Sequence, residues 1–153
     1  RNSILAYVPE IGKTSPHNRI DVWWRGMQKN GDMMLLLAHL LNGNPEWRHA
    51  KLRLRTIVNT SEEQCPMRDR LKALVSESRI PAETDVVLKD PNPGVVNQMH
   101  EASKDADIVF VGLAFPGNQD EVTYAAKLEK LVMGFKATIL VRNAESTQGQ
   151  LIE

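Results

Sequence analysis

Hydrophobic and polar positions divide the chain into short alternating or wholly apolar runs and longer one-sided stretches. Ile20-Asp21-Val22-Trp23-Trp24 alternates as a strand does, and adjacent Trp23 and Trp24 must then point to opposite faces. Behind Gly31 and Asp32 the block MMLLLAHLL is apolar except for His39 and stops at Asn42-Gly43, a usual helix end. A helix apolar all round has to be covered on more than one side. At about 10 apolar residues it is too short for a bilayer, which needs roughly 20.

The same pattern continues on both sides of this unit. Ser3 to Val8, SILAYV, predicts an edge strand or the remnant of a preceding segment, and residues 9–18 are rich in breakers and read as linker. Lys51 to Val58 predicts a strand with Leu52, Leu54, Thr56 and Val58 on one face and Arg53, Arg55 and Ile57 on the other. Thr60-Ser61-Glu62-Glu63 is a capping box for a helix to about Ser78, with Met67, Leu71, Leu74 and Val75 on its apolar stripe. Thr84 to Leu88 is the next strand. Asn92-Pro93 reads as a cap and first helical proline for a short helix to about Ser103. Asp107 to Ala114 is nearly all apolar, as a strand buried on both faces is. Asn118 with Glu121 predicts the start of a last long helix to Met133, and Thr138 to Val141 a closing strand. Strand and helix alternate throughout, so the expected fold is α/β: a doubly wound, mainly parallel five-stranded sheet with helices on both faces and order 3-2-1-4-5. The expected domain spans residues 19–143, between an edge strand and linker at 1–18 and a polar tail at 144–153. Ligands of such sheets bind at the topological switch point, here between the strands at 19–25 and 107–114. Arg25 to Asp32 and Ala114 to Asn118 would line it.

Composition narrows the function classes. The 153 residues carry 19 basic and 19 acidic side chains, and this balance argues against nucleic acid as a partner. One cysteine, Cys65, excludes an internal disulfide and fits a reducing compartment. No signal peptide is visible, and the start at Arg1 without a methionine predicts a piece of something longer.

Candidate chemistry is sparse. Gly26, Lys29 and Gly31 in RGMQKNG could cradle a phosphate before a helix, but neither established glycine spacing for that task is present and Asp32 would repel the ligand. A tight connection using glycine's backbone freedom explains them as well. His17, His39, His49 and His100 lack metal-site spacing and read as structural or surface residues. Glu62, Glu63, Asp120 and Glu121 fall in first helical turns, where the helix dipole explains them. No nucleophile, base and orienter set emerges, so the chain is read as a non-enzyme with no catalytic residues, no metal and no cofactor. In the last helix Tyr124, Leu128, Leu131 and Phe135 form one stripe, while Val122, Ala126 and Met133 lie well round from it. An arc that wide, with the polar-free first helix, predicts a surface buried by another domain or subunit, the alternative being helices that pack on each other across the sheet edge.

Two stretches carry a family resemblance. IDVWW with its loop, glycine and leucine-rich helix, and ADIVFVGLAFPGNQDEVTYAAKLEKLVMGFKATILVRN, resemble the second half of the cytosolic C-terminal region of the cation-chloride cotransporters, over about Arg19 to Asn143. The resemblance implies a universal-stress-protein-like fold. It also implies a non-catalytic regulatory and dimerisation role for a Na/K/Cl-type transporter, at the cytoplasmic face of the cell membrane. The partners implied are a second copy and the membrane domain of the same transporter. The short connection Lys89 to Gly94 resembles a compact prokaryotic-type member rather than a eukaryotic one with long insertions. The alternative is a universal-stress-like nucleotide binder, which would use Gly26, Lys29, Gly31, Gly112 and Gly117. The Gly-x2-Gly-x9-Gly-[Ser/Thr] signature of nucleotide-binding universal stress proteins is absent, since Lys127 stands ten residues after Gly117.

Overall fold

The computed structural model describes residues 2–8, 16–24, 28–113 and 120–142. Its elements in chain order are β1 (Ser3–Tyr7), β2 (Arg19–Trp23), α1 (Gln28–Asn42), β3 (Lys51–Val58), α2 (Ser61–Ser78), β4 (Glu83–Leu88), α3 (Val95–Ala102), β5 (Ile108–Gly112), α4 (Glu121–Met133) and β6 (Thr138–Arg142). A single 3-10 turn at Pro45–Trp47 precedes β3.

The sheet has six strands in the order β1-β6-β5-β2-β3-β4, which corrects the expected five. The added strand is β1, which pairs antiparallel with β6, whereas β2 to β6 run parallel. Only with β1 set aside does the remaining order match the expected 3-2-1-4-5. A central β2 between β3 and β5 puts the topological switch point beside β2 and β5, but residues 25–27 and 114–118 of its expected lining lie outside the described residues. So do the linker residues 9–15 and the tail at 144–153.

Two cores sandwich the sheet, one on each face. Ile20, Val22 and Trp24 join Leu52 and Leu54 of β3 under Met34, Leu35 and Ala38 of α1 and Leu71 and Leu74 of α2. Trp23, Val109, Val111 and Leu140 face the other way, against Met99 of α3 and Leu131, Val132 and Phe135 at the end of α4. The adjacent tryptophans are each only 3% exposed and belong to opposite cores, as strand alternation requires.

Three helix starts differ from expectation. Helix α1 begins at Gln28, before Gly31, because Gly31 is a packing residue rather than part of a turn: a Cβ there would stand 2.8 Å from Trp24 Nε1. Helix α3 begins at Val95 behind Gly94, whose φ of 98° suits glycine, so Asn92-Pro93 does not open it. Helix α4 is capped by Asp120, whose carboxylate accepts from the Thr123 amide at 2.6 Å, while Asn118 lies outside the described residues. The start of α2 is as expected: the Glu63 carboxylate reaches back to the amide of the cap residue Thr60 at 3.4 Å and also accepts from that of Asn59 at 2.9 Å.

Candidate functional site

Strand register builds a buried ionic cluster on the α3 side of the sheet. Asp21 in β2 stands opposite Arg53 in β3, and Arg55 is flanked in register by Trp23 and Asp85. Asp21 is fully buried; its Oδ1 accepts from Arg53 Nε at 2.7 Å, and its Oδ2 from Arg53 Nη2 at 2.8 Å and from Ser103 Oγ at 2.5 Å. Trp23 Nε1 in turn donates to Ser103 Oγ at 2.9 Å. Arg55 pairs with Asp85 at 2.6 Å and with Asp21 at 3.4 Å, donates to the Ala102 carbonyl, and lies over the Trp23 ring. Arg53 also reaches Asp105 at 3.0 Å, as Arg19 does at 2.9 Å. Burial disfavours the charged Asp105, but Arg53 and Arg19 outweigh it and hold the carboxyl below its ordinary range. Burial likewise disfavours the Arg53 cation, and its hydrogen bond and charge pairing with Asp21 outweigh that and raise its pKa.

Every charged group of this cluster has an opposite charge beside it, so its chemistry is structural: it locks β2, β3, β4 and the end of α3 together. Composition hid it, because the pairs are remote in sequence. The available signal was Asp21 inside the apolar run Ile20 to Trp24, with Arg53 and Arg55 two apart on one face of the next strand.

A cleft of about 280 Å³ opens where β2 and β3 end. Trp23, Trp24, Thr56 and Ile57 form its floor, Met67 of α2 and Val95 and Met99 of α3 its walls, and Asn59 and Lys89 add polar groups. It lies on the β3 side of β2, not on the β5 side where the switch point directed attention.

The glycines of the alternative reading do not converge on a cradle among the described residues. Gly31 is inside α1 against Trp24, and Gly112 in β5 is held close to Met34 and Asn30. Gly26, Gly117 and the Lys29 side chain lie outside the described residues. His17 stacks on Trp47 with ring centroids 4.2 Å apart, and His100 Nε2 meets the Leu131 carbonyl at 2.7 Å while its ring edges onto Phe135. His39, His49 and Cys65 are exposed, and no three metal-ligating side chains gather among the described residues.

The α4 stripe divides. Leu131 and Phe135 belong to the domain's own core, Tyr124 and Leu128 are half-buried, and Val122, Ala126 and Met133 are exposed. Only its N-terminal half is therefore available to a partner. On α1, Leu36 and Leu40 are exposed while Met34, Leu35 and Ala38 are buried.

A family model for solute carrier family 12 matches residues 2–98. The chain belongs to solute carrier family 12. The match runs from β1 into α3, so the second of the two stretches that carried the resemblance, from Ala106 on, lies beyond it. Among solved structures, this family 12 chain is similar to the cytoplasmic domain of a prokaryotic cation chloride cotransporter, with a TM-score of 0.62 and 22% identity over 92% of the chain. It spans 52% of that domain, about half its length. It is also similar to a universal stress protein in complex with cAMP (TM-score 0.54, 16% identity, 84% of this chain and 98% of that one). A universal stress protein from Archaeoglobus fulgidus matches with a TM-score of 0.53 and 17% identity, over 81% of this chain and 93% of that one. The fold is thus universal-stress-protein-like, carried by a family 12 sequence.

Proposed function

We propose that this chain is a non-catalytic cytoplasmic regulatory and dimerisation domain of a cation-chloride cotransporter of the Na/K/Cl type. In this reading it sits at the cytoplasmic face of the membrane and contacts the transporter's membrane domain. The observation that carries the reading is the fold likeness over 92% of the chain to a cotransporter's cytoplasmic domain, joined to membership of family 12. Two features agree with it. No helix among the described residues is long and apolar enough to cross a membrane, and the buried charges are engaged with one another rather than aimed into the cleft. The test is chloride-dependent rubidium uptake by cells expressing the gene that encodes this chain, with and without a destabilising substitution in the domain. Uptake that needs no chloride, or that ignores loss of the folded domain, overturns the proposal.

The second reading, a universal-stress-like nucleotide binder, is favoured by the cleft at the ends of β2 and β3 and by the neighbour solved with cAMP. The missing glycine signature weighs against it. ATP with magnesium, titrated calorimetrically into the purified chain, is expected to give no saturable heat at micromolar level. A dissociation constant below about 10 μM, roughly −7 kcal/mol or better, would favour this second reading.

A further inference from the structure

The cleft at the ends of β2 and β3 has a lining without a single acidic side chain. Its floor is the pair Trp23 and Trp24, each 3% exposed, and it runs across the end of the sheet between Met67 of α2 on one face and Met99 of α3 on the other. Methionine is unbranched and flexible, so such walls fit apolar bodies of more than one shape. Two polar side chains complete the lining, the Asn59 carboxamide and the Lys89 ammonium. Their backbones are engaged: the Asn59 amide donates to Glu63 Oε2 at 2.9 Å and the Lys89 amide to the Val58 carbonyl at 2.7 Å. Neither side chain has a hydrogen-bond or ion-pair partner among the described residues. The carboxylates on the same two connections do not serve as partners, since Glu63 caps α2 and Asp90 Oδ1 accepts from the Asn92 amide at 3.0 Å. One cation and one amide are thus left beside an apolar cavity of about 280 Å³.

We propose that the cleft binds a small apolar monocarboxylate, its body on the two tryptophans between Met67 and Met99 and its carboxylate held by Lys89 and Asn59. The two oxygens of a carboxylate match these two donors, and the bond from the ammonium is charge-assisted. A cationic ligand would find no counter-charge in the lining. A polyphosphate would need more donors than two, and the amides that the start of α2 could lend, those of Asn59 and Thr60, are already taken by Glu63 at 2.9 and 3.4 Å. The inference therefore goes beyond the regulatory reading, does not depend on it, and departs from the nucleotide reading of the same cleft.

Calorimetric titration of the 153-residue chain with 3-phenylpropanoate and with 4-methylpentanoate, each beside its neutral amide, tests this. The expected result is saturable binding of at least one acid with a dissociation constant below about 1 mM, and binding of its amide about tenfold or more weaker. Lys89→Gln should abolish that preference and Lys89→Arg retain it, with urea melts unchanged in both because the Lys89 side chain pairs with no other described residue. In nitrogen-edited NMR spectra the indole N–H signals of Trp23 and Trp24 should shift with the acid, while that of Trp47, in the turn before β3 at the other end of the strands, stays in place. The proposal is overturned if neither acid binds, if acid and amide bind alike, or if Lys89→Gln keeps the preference. Tighter binding of ATP with magnesium than of either acid, moving the same two indole signals, overturns the monocarboxylate in favour of a nucleotide.

Discussion

Trp24→Ala should lower the unfolding free energy by about 3–5 kcal/mol, as truncation of a fully packed aromatic does. Trp24 closes the face that Ile20 and Val22 begin, and it is one of the residues joining the sheet to α1 and α2. Gly31 comes so close to its indole that any side chain there would collide, and the Arg70 guanidinium lies 5.3 Å from the ring centroid on the α2 side. The hole left by alanine would lie among α1, α2 and β2 and open toward the cleft that Trp24 floors, so the packing lost on all three elements is not recovered. Urea melts check the size of the loss, with Leu40→Ala, on the exposed side of α1, as the comparison expected to change stability by less than about 0.5 kcal/mol. A loss under about 1 kcal/mol for Trp24→Ala would mean that β2 does not anchor the fold.

The second large effect is expected at Asp21. Its side chain is 0% exposed, and Asp21→Ala would leave Arg53 with only the half-exposed Asp105, Arg55 with Asp85 and Ser103 with Trp23, in a space nearly closed to water. Removing one member of a buried pair costs about 3–5 kcal/mol, because the charge left behind loses its buried partner without regaining water; the carboxylates that remain put the expected loss at the lower end, about 3 kcal/mol. Asp105→Ala removes a partner of the same Arg53, yet the Asp105 side chain is 53% exposed, so its loss should cost no more than about 1 kcal/mol. The two variants therefore separate burial from charge pairing as the source of the effect. Equal losses in urea melts would refute the account of the cluster, as would a negligible loss for Asp21→Ala.

The alternation of apolar runs with amphipathic stretches determined that this protein is a mainly parallel α/β fold, since strands apolar on both faces, as in DIVFV, need helices on both sides of the sheet. Strand period two determined that Trp23 and Trp24 serve opposite cores. A capping box determined where α2 starts, because that signal is local and chemical. Helix starts at α1 and α3 were beyond local reading: Gly31 marks the approach of Trp24 rather than a turn, and a backbone angle at Gly94 decides where α3 begins. The α4 stripe looked like one surface because periodicity records which residues share a helix face, not how far along that face the sheet extends. Register between β2, β3 and β4 made the Asp21 cluster, since it joins residues 32 positions apart that no spacing rule connects. Tertiary structure alone added β1 to the sheet, because an antiparallel partner at the far end of the chain is chosen by which edge remains open, and β6 offered one.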